Sequence, residues 1–151
     1  MKYDQAGWHY GGKFPKGVPE ENGGTHIGMF LAWAIMSGLE NQSLGKELST
    51  QIAAVRERKM TGRQFLFEVC DEKLADEELN EEGNAFAAAY YKNHYFQDYE
   101  RTLRKWPKSP YEVEDTWDNF DKIAAVISRR FAAWKPGRIL QESGGISGND
   151  A

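Results

Sequence analysis

The sequence of 151 residues predicts a single all-α domain, a compact bundle of helices under an irregular N-terminal cap that is rich in aromatic residues and glycine. Two observations support this prediction. Apolar residues recur at helical spacing along most of the chain, which we divide into roughly five to seven helices. Apolar–polar alternation of strand length does not compete with this pattern, and only a short ribbon around residues 8–14 is a candidate for β structure.

The first predicted helix spans residues 25–39, with Thr25 as its N-cap. It is apolar on nearly every face, which is typical of a central helix covered on several sides. Ser43 is predicted to cap a second helix, and the capping-box spacing of Thr61 and Gln64 opens a third. The second helix carries a continuous apolar stripe made of Leu44, Leu48, Ile52 and Val55.

Further helices are predicted in the second half of the chain. One runs to a break near Asn93, and the next ends at Pro107, which cannot continue a helix. The last has the strongest signal, because Ser109 and Glu112 form a capping box at its start and Pro136 marks its end. Its apolar face is predicted to consist of Val113, Trp117, Phe120, Ala124, Ile127, Phe131 and Trp134.

The chain shows no internal repeat and no linker between domains. We therefore predict one helical domain over residues 1–136, in which residues 1–24 form the cap segment. The glycine- and serine-rich residues 137–151 are predicted to be a flexible tail.

Charge and hydropathy exclude several classes of protein. The net charge is −4 and the basic residues are scattered, unlike the basic stripe of a nucleic-acid-binding protein. The longest apolar run, residues 27–36, is about half as long as a membrane span. A secretory signal is not visible, and the single cysteine, Cys70, is typical of a core residue in a reducing compartment. We expect a cytoplasmic protein that binds neither nucleic acid nor membrane.

The segment before the first predicted helix holds the most suggestive side chains. Trp8, His9 and Tyr10 precede a pair of glycines, and His26 follows at the start of the helix. Aromatic and imidazole groups on a glycine-rich loop suit a ligand site, since glycine lets the backbone approach a ligand closely. The alternative is that these rings are buried, as large apolar side chains usually are. These four residues are our possible ligand-binding site.

Catalytic, metal and cofactor motifs are not recognised, and the sequence predicts no catalytic residue, no metal site and no cofactor. Phosphate-binding loops and the Gly-x-Ser-x-Gly elbow do not occur. The histidines His9, His26 and His94 are far apart in sequence, although folding can bring them together with Asp4. His94 and Asp98 lie four residues apart on a predicted helix, a spacing that is common by chance.

Acidic side chains are concentrated in residues 71–82, where only Lys73 offsets them. Most charged surfaces of this kind are simply solvated. The functional alternative is a basic partner protein, drawn to the charge and anchored by nearby tyrosine rings. The predicted partner-binding residues are Asp71, Glu72, Asp76, Glu77, Glu78, Glu81, Glu82, Tyr90, Tyr91 and Tyr95.

Several runs carry a family resemblance: WHYGGKFP at residues 8–15, THIGMFLAWA at 25–34, and shorter runs at 67–71, 79–86 and 98–99. Over roughly residues 3–135 the chain resembles a bacterial domain family of unknown function. The resemblance implies no activity, cofactor or site. Proteins of this size and acidity are also similar to the immunity proteins that protect bacteria from their own secreted toxins, an analogy of class rather than of motif.

These observations lead to competing expectations about function. We expect a non-enzymatic protein-binding module, an immunity-type inhibitor that covers the active site of a cognate bacterial toxin with residues 71–82. The alternative is a small-molecule-binding protein or a small enzyme built on the N-terminal histidines. An inhibitor needs an exposed charged surface with aromatic anchors, whereas an enzyme needs polar groups that converge in a pocket.

Overall fold

A computed structural model of the chain describes residues 1–12 and 14–143, with side chains described through residue 135. The fold is compact and mostly helical, as the sequence predicts. Its α-helices are α1 (Thr25–Met36), α2 (Gln42–Glu47), α3 (Ser49–Arg56), α4 (Gly62–Val69), α5 (Glu81–Tyr90), α6 (Phe96–Leu103) and α7 (Trp117–Ser143). Two short strands, β1 (Lys2–Gln5) and β2 (Lys73–Ala75), pair antiparallel.

Helix α1 forms the centre of the core. Its residues 25–35 are buried on every face, as predicted for a central helix, and α3, α4 and α7 pack against it. Gly28 of α1 faces Gly62 of α4, and a Cβ atom on either glycine would overlap the backbone of the opposite helix. Thr25 is the first helical residue rather than the cap, and the helix ends at Met36, earlier than predicted.

The predicted second helix is in fact two short helices, α2 and α3, which are separated at Leu48. Asn41 caps α2 instead of Ser43, because the Asn41 side chain accepts a hydrogen bond from the Ser43 amide at 2.9 Å. The capping box of Thr61 and Gln64 is present at the start of α4, as predicted. The capping box, which two reciprocal hydrogen bonds define, is predicted correctly, whereas the single-residue caps at Thr25 and Ser43 are wrong.

Helices α5 and α6 are joined by a π-helical turn, Tyr91–Tyr95, which contains the predicted break at Asn93. Such turns insert one extra residue per turn and so rotate the side chains that follow. Helix α6 ends at Leu103, before Pro107, because Arg104 adopts an extended conformation. Trp106 lies beyond the helix and is 79% exposed.

Helix α7 differs from its prediction at both ends. The capping box of Ser109 and Glu112 closes a separate 3-10 turn, Pro110–Glu112, and the helix itself begins only at Trp117. At the other end the helix continues past Pro136 to Ser143. The φ of proline is compatible with a helix, although the residue costs the helix one backbone hydrogen bond. The remainder of the predicted tail, 144–151, lies outside the described residues.

The predicted ribbon around residues 8–14 is wrong. The chain there forms a 3-10 turn, Ala6–His9, while β1 pairs with the distant β2. The pairing is irregular between Lys2 and Asp4, which indicates a bulge. The ribbon prediction failed because strand pairing is a long-range contact that local alternation does not reveal.

Within the described residues, no helix combines the length and the apolar character that crossing a membrane would require.

Truncation of the core face of α7 should be strongly destabilising. Ile127 is fully buried, and Ile127→Ala should lower the free energy of unfolding by about 2–5 kcal/mol, since it removes packed methyl groups and leaves a cavity. Urea denaturation followed by circular dichroism measures the change. Trp106→Ala is the control, because its side chain is mostly in solvent and its loss should shift the midpoint little. Equal effects of the two changes would contradict the assigned core.

Candidate functional site

A buried carboxylate, that of Asp4 in β1, lies at the centre of a polar cluster. Its Oδ1 is 2.7 Å from His9 Nε2, and its Oδ2 is 3.1 Å from His26 Nε2. The Tyr91 hydroxyl donates to Oδ2 at 2.6 Å, and the Gln5 amide donates to Oδ1 at 2.8 Å. Because an ionised carboxylate only accepts hydrogen bonds, each Nε2 carries a proton in this arrangement. The charge of a residue that is only 6% exposed is thus fully hydrogen-bonded.

Irregular backbone brings these side chains together. The bulge in β1 lies where two consecutive residues, Tyr3 and Asp4, are both buried, whereas side chains of a regular strand alternate between faces. The 3-10 turn Ala6–His9 directly follows β1 and reverses the chain, so the His9 imidazole lies against Asp4 of that strand. His26 comes from the first turn of α1 and is 2% exposed.

The π-helical turn supplies the opposite wall of the cluster. Tyr91 and Tyr95 stack with ring centroids 4.9 Å apart. The Tyr91 hydroxyl reaches Asp4, and the Tyr95 hydroxyl donates to the backbone oxygen of His26 at 2.6 Å. One turn therefore orients both the carboxylate and the helix that carries the second imidazole, in keeping with the frequent use of π-helical turns at functional sites.

His9 is held from both sides. Its Nδ1 lies 2.7 Å from the Tyr111 hydroxyl, and its ring meets the edge of the His26 ring with centroids 4.5 Å apart. Since Nε2 carries the proton that faces Asp4, Nδ1 of a neutral imidazole accepts from the Tyr111 hydroxyl. Tyr111, which orients this histidine, lies in the 3-10 turn Pro110–Glu112. The capping box of Ser109 and Glu112 stabilises that turn.

The cluster opens on a shallow pocket of about 190 Å³. The side chain of His9 is 18% exposed there, whereas that of His26 is 2% exposed, so solvent reaches the cluster mainly through His9. Lys92 is exposed and is the only lysine or arginine among the described residues that line the pocket. The lining residues are Tyr3, Asp4, His9, His26, Tyr91, Lys92, Tyr95 and Phe96.

Burial and hydrogen bonding determine the protonation of the cluster. Burial raises the pKa of Asp4, but hydrogen bonds from His26 and His9, together with their charges, lower it well below its usual value. Burial is the largest influence on the pKa of His26; together with the charge of His9 it lowers that pKa, although Asp4 acts to raise it. Burial also raises the pKa of the Tyr91 hydroxyl well above its ordinary value. At neutral pH Asp4 is ionised, His26 is neutral and Tyr91 keeps its proton.

The sequence-predicted ligand site is divided by the fold. His9 and His26 meet, but Trp8 is 57% exposed and Tyr10 packs over Gly23. Asp4, which joins the two histidines, is not among the residues that the sequence predicts for this site. An acidic residue in a short, mostly polar segment is a weak signal, and only the tertiary contacts of β1 show which side chains it meets.

The sequence-predicted partner surface is also divided. Tyr90, Tyr91 and Tyr95 are at most 6% exposed and belong to the core, so their predicted role as surface anchors is wrong. Glu78 is buried as well and accepts a hydrogen bond from the Ala75 amide at 2.7 Å. Burial raises the pKa of Glu78. The exposed acids of the stretch are Asp71, Asp76, Glu77 and Glu81, while Glu72 and Glu82 are half-buried.

Cys70 should be chemically inert in the native protein. The side chain is buried, and burial raises the pKa of its thiol to about 12. Because the thiolate is the reactive form, we expect Ellman's reagent at pH 8 to modify the native protein at least about a hundredfold more slowly than the urea-unfolded protein. Absorbance stopped-flow measurement of both rates checks this expectation. Equal rates would show that the thiol is accessible and ionised, as a nucleophile would be.

Comparison with known families places most of the chain in one of them. Residues 2–113 match the model of a domain of unknown function, DUF7832. This region contains every residue of the Asp4 cluster, including Tyr111, and ends before α7. No curated protein and no solved structure matches the chain. The chain belongs to the DUF7832 family of domains of unknown function.

Proposed function

We propose that this protein binds a divalent transition-metal ion with Asp4, His9 and His26, and that the ion acts on a small molecule in the adjoining pocket. One observation carries the proposal: a ligand atom from each of these three side chains lies within 4.8 Å of the other two. Imidazole nitrogen and carboxylate oxygen are the ligands of many zinc and non-haem iron centres.

The observed geometry is close to what an ion needs. Bonds of about 2.0–2.1 Å place the ligand atoms of a tetrahedral zinc ion about 3.3 Å apart. Asp4 oxygens already lie 2.7 Å and 3.1 Å from the two Nε2 atoms. No separation in the set exceeds 4.8 Å, so the contraction needed is at most about 1.5 Å, which a side-chain movement can supply.

The surroundings also suit metal-bound histidine. Each Nε2 must lose its proton to bind an ion. His9 can carry its proton on Nδ1 instead, where the Tyr111 hydroxyl 2.7 Å away can accept it. A metal-bound histidine usually donates its other N–H to an oxygen in this way, which orients the ring.

The arrangement favours a catalytic ion over a purely structural one. Structural zinc ions are enclosed by four protein ligands, whereas catalytic ions keep a position open for water or substrate. Here three ligands lie beside a pocket, and His9 borders its opening. Such an ion polarises a bound ligand or activates a water molecule. Lys92 at the rim favours a ligand that is negatively charged.

Metal binding is tested with Co²⁺, whose visible absorption reports coordination by nitrogen and oxygen, and with Zn²⁺ as a competitor. We expect one equivalent per chain. His9→Gln should weaken binding about a hundredfold or more, since even outer partners of a metal ligand contribute tenfold to a hundredfold. Tyr111→Phe should weaken it within that smaller range. Saturating Zn²⁺ should also raise the thermal unfolding temperature.

His94→Gln is the matched control, because it removes one imidazole from an exposed position outside the cluster. It should bind Co²⁺ as the unmodified protein does. Circular dichroism establishes that each variant is folded. The proposal is wrong if the His9→Gln variant binds Co²⁺ as tightly as the unmodified protein does. It is also wrong if the unmodified protein binds no ion and the substitution lowers only the stability of the fold, because the cluster is then a structural hydrogen-bond network.

A second candidate function rests on the exposed acids near β2 and α5. As this second candidate, we propose a cytoplasmic immunity protein of bacteria that covers a cationic active-site cleft of a toxin. Its support is that Asp71, Asp76, Glu77 and Glu81 are exposed in one short stretch. Because the nearby tyrosines are buried, binding would depend mainly on charge, which governs association rate and selectivity more than affinity.

This second candidate predicts a salt-dependent association rate with the product of an adjacent toxin gene. The combined change Asp71→Lys, Glu77→Lys and Glu81→Lys should slow association about tenfold or more at low salt and less at high salt. Surface plasmon resonance at two salt concentrations measures the rates. The combined reversal of Glu20, Glu47 and Glu68, which are exposed elsewhere, is the control. Equal slowing by both sets would contradict a specific acidic surface.

A further inference from the structure

Two arginines, Arg130 and Arg101, contact one buried carboxylate where α6 packs against α7. Asp98 is 3% exposed, and its two oxygens accept hydrogen bonds from Nε and Nη2 of Arg130 at 2.8 Å and 2.9 Å. The Tyr90 hydroxyl also donates to Asp98 at 2.7 Å. Arg101 approaches the same carboxylate at 3.5 Å. Asp98 therefore holds the Arg130 guanidinium in one fixed orientation.

A surface pocket of about 350 Å³ lies beside this carboxylate. Its lining consists of Asp98, Arg101, Thr102, Val126, Arg129 and Arg130. Within the part of the chain that the structure describes, Arg129 makes no ion pair and Nη1 of Arg130 makes no hydrogen bond. The single carboxylate of the lining is buried, so the three guanidinium groups leave two positive charges unbalanced. Residues 122–135 of α7 contain no acidic residue that could balance them.

We infer that this pocket binds the phosphate group of a small phosphate monoester. The planar guanidinium group offers parallel N–H donors that match phosphate oxygens, and two unbalanced positive charges match a phosphate dianion better than a carboxylate. Arg130 is already oriented by Asp98, so less side-chain entropy is lost on binding. The Thr102 hydroxyl adds a donor, and Val126 offers an apolar wall for the organic part of the ester.

The inference is independent of the proposed metal site. The arginine pocket lies on α6 and α7, whereas Asp4, His9 and His26 belong to the N-terminal segments and α1. The two pockets share no lining residue. Loss of one binding activity would therefore leave the other to be measured separately.

Titration of the full chain with inorganic phosphate and with phenyl phosphate tests the inference. Amide chemical shifts measured by NMR at constant ionic strength report binding. We expect saturable binding of both probes at one site, with phenyl phosphate the tighter because of its ring. Arg129→Gln should weaken binding about tenfold or more, because a hydrogen bond to a charged group is lost. Arg101→Gln should weaken it in the same direction.

Arg58→Gln is the matched control, since it removes one positive charge from an arginine that is paired with Asp121 elsewhere. It should change the affinity less than about twofold. A linear response without saturation, or equal weakening by Arg129→Gln and Arg58→Gln, would overturn the pocket and indicate non-specific attraction. Tighter binding of inorganic phosphate than of phenyl phosphate would overturn the assignment to an ester.

Discussion

The burial of one charge, that of Asp4, constrains much of this structure. A carboxylate out of water is stable only if its oxygens are hydrogen-bonded, and here two imidazoles, a phenol and a backbone amide supply those bonds. These donors come from β1, the following 3-10 turn, α1 and the π-helical turn. One side chain thus joins the N-terminal segment to the centre of the core.

The same constraint explains why the candidate site lies where the backbone is least regular. A bulge, a 3-10 turn and a π-helical turn each change the direction of a side chain that a regular element would point elsewhere. Regular helices such as α1 provide the rigid base. The arrangement brings ligand atoms of Asp4, His9 and His26 within 4.8 Å of one another, and a pocket lies beside His9.

Charge on the surface is segregated, which the overall value of −4 conceals. Exposed acids cluster near β2 and the start of α5, whereas unbalanced arginines gather between α6 and α7. The buried Asp98 balances one of these arginine charges and holds Arg130 in a fixed orientation. The exposed acids and the arginine pocket therefore lie in different parts of the fold, and each gives its own region of the surface a local charge.

The sequence by itself determined the helical class, the central position of α1 and the capping box of α4, because periodicity, hydropathy and capping act between near neighbours in the chain. Tertiary structure decided which distant residues meet, because periodicity, hydropathy and capping carry no information about such contacts. The pairing of β1 with β2 places Asp4 beside its histidines. The π-helical turn places Tyr91 in the core, where it contacts Asp4, and not at the surface that the sequence predicts for it. Both outcomes depend on contacts between residues far apart in the chain, where the need to satisfy a buried charge outweighs local pattern.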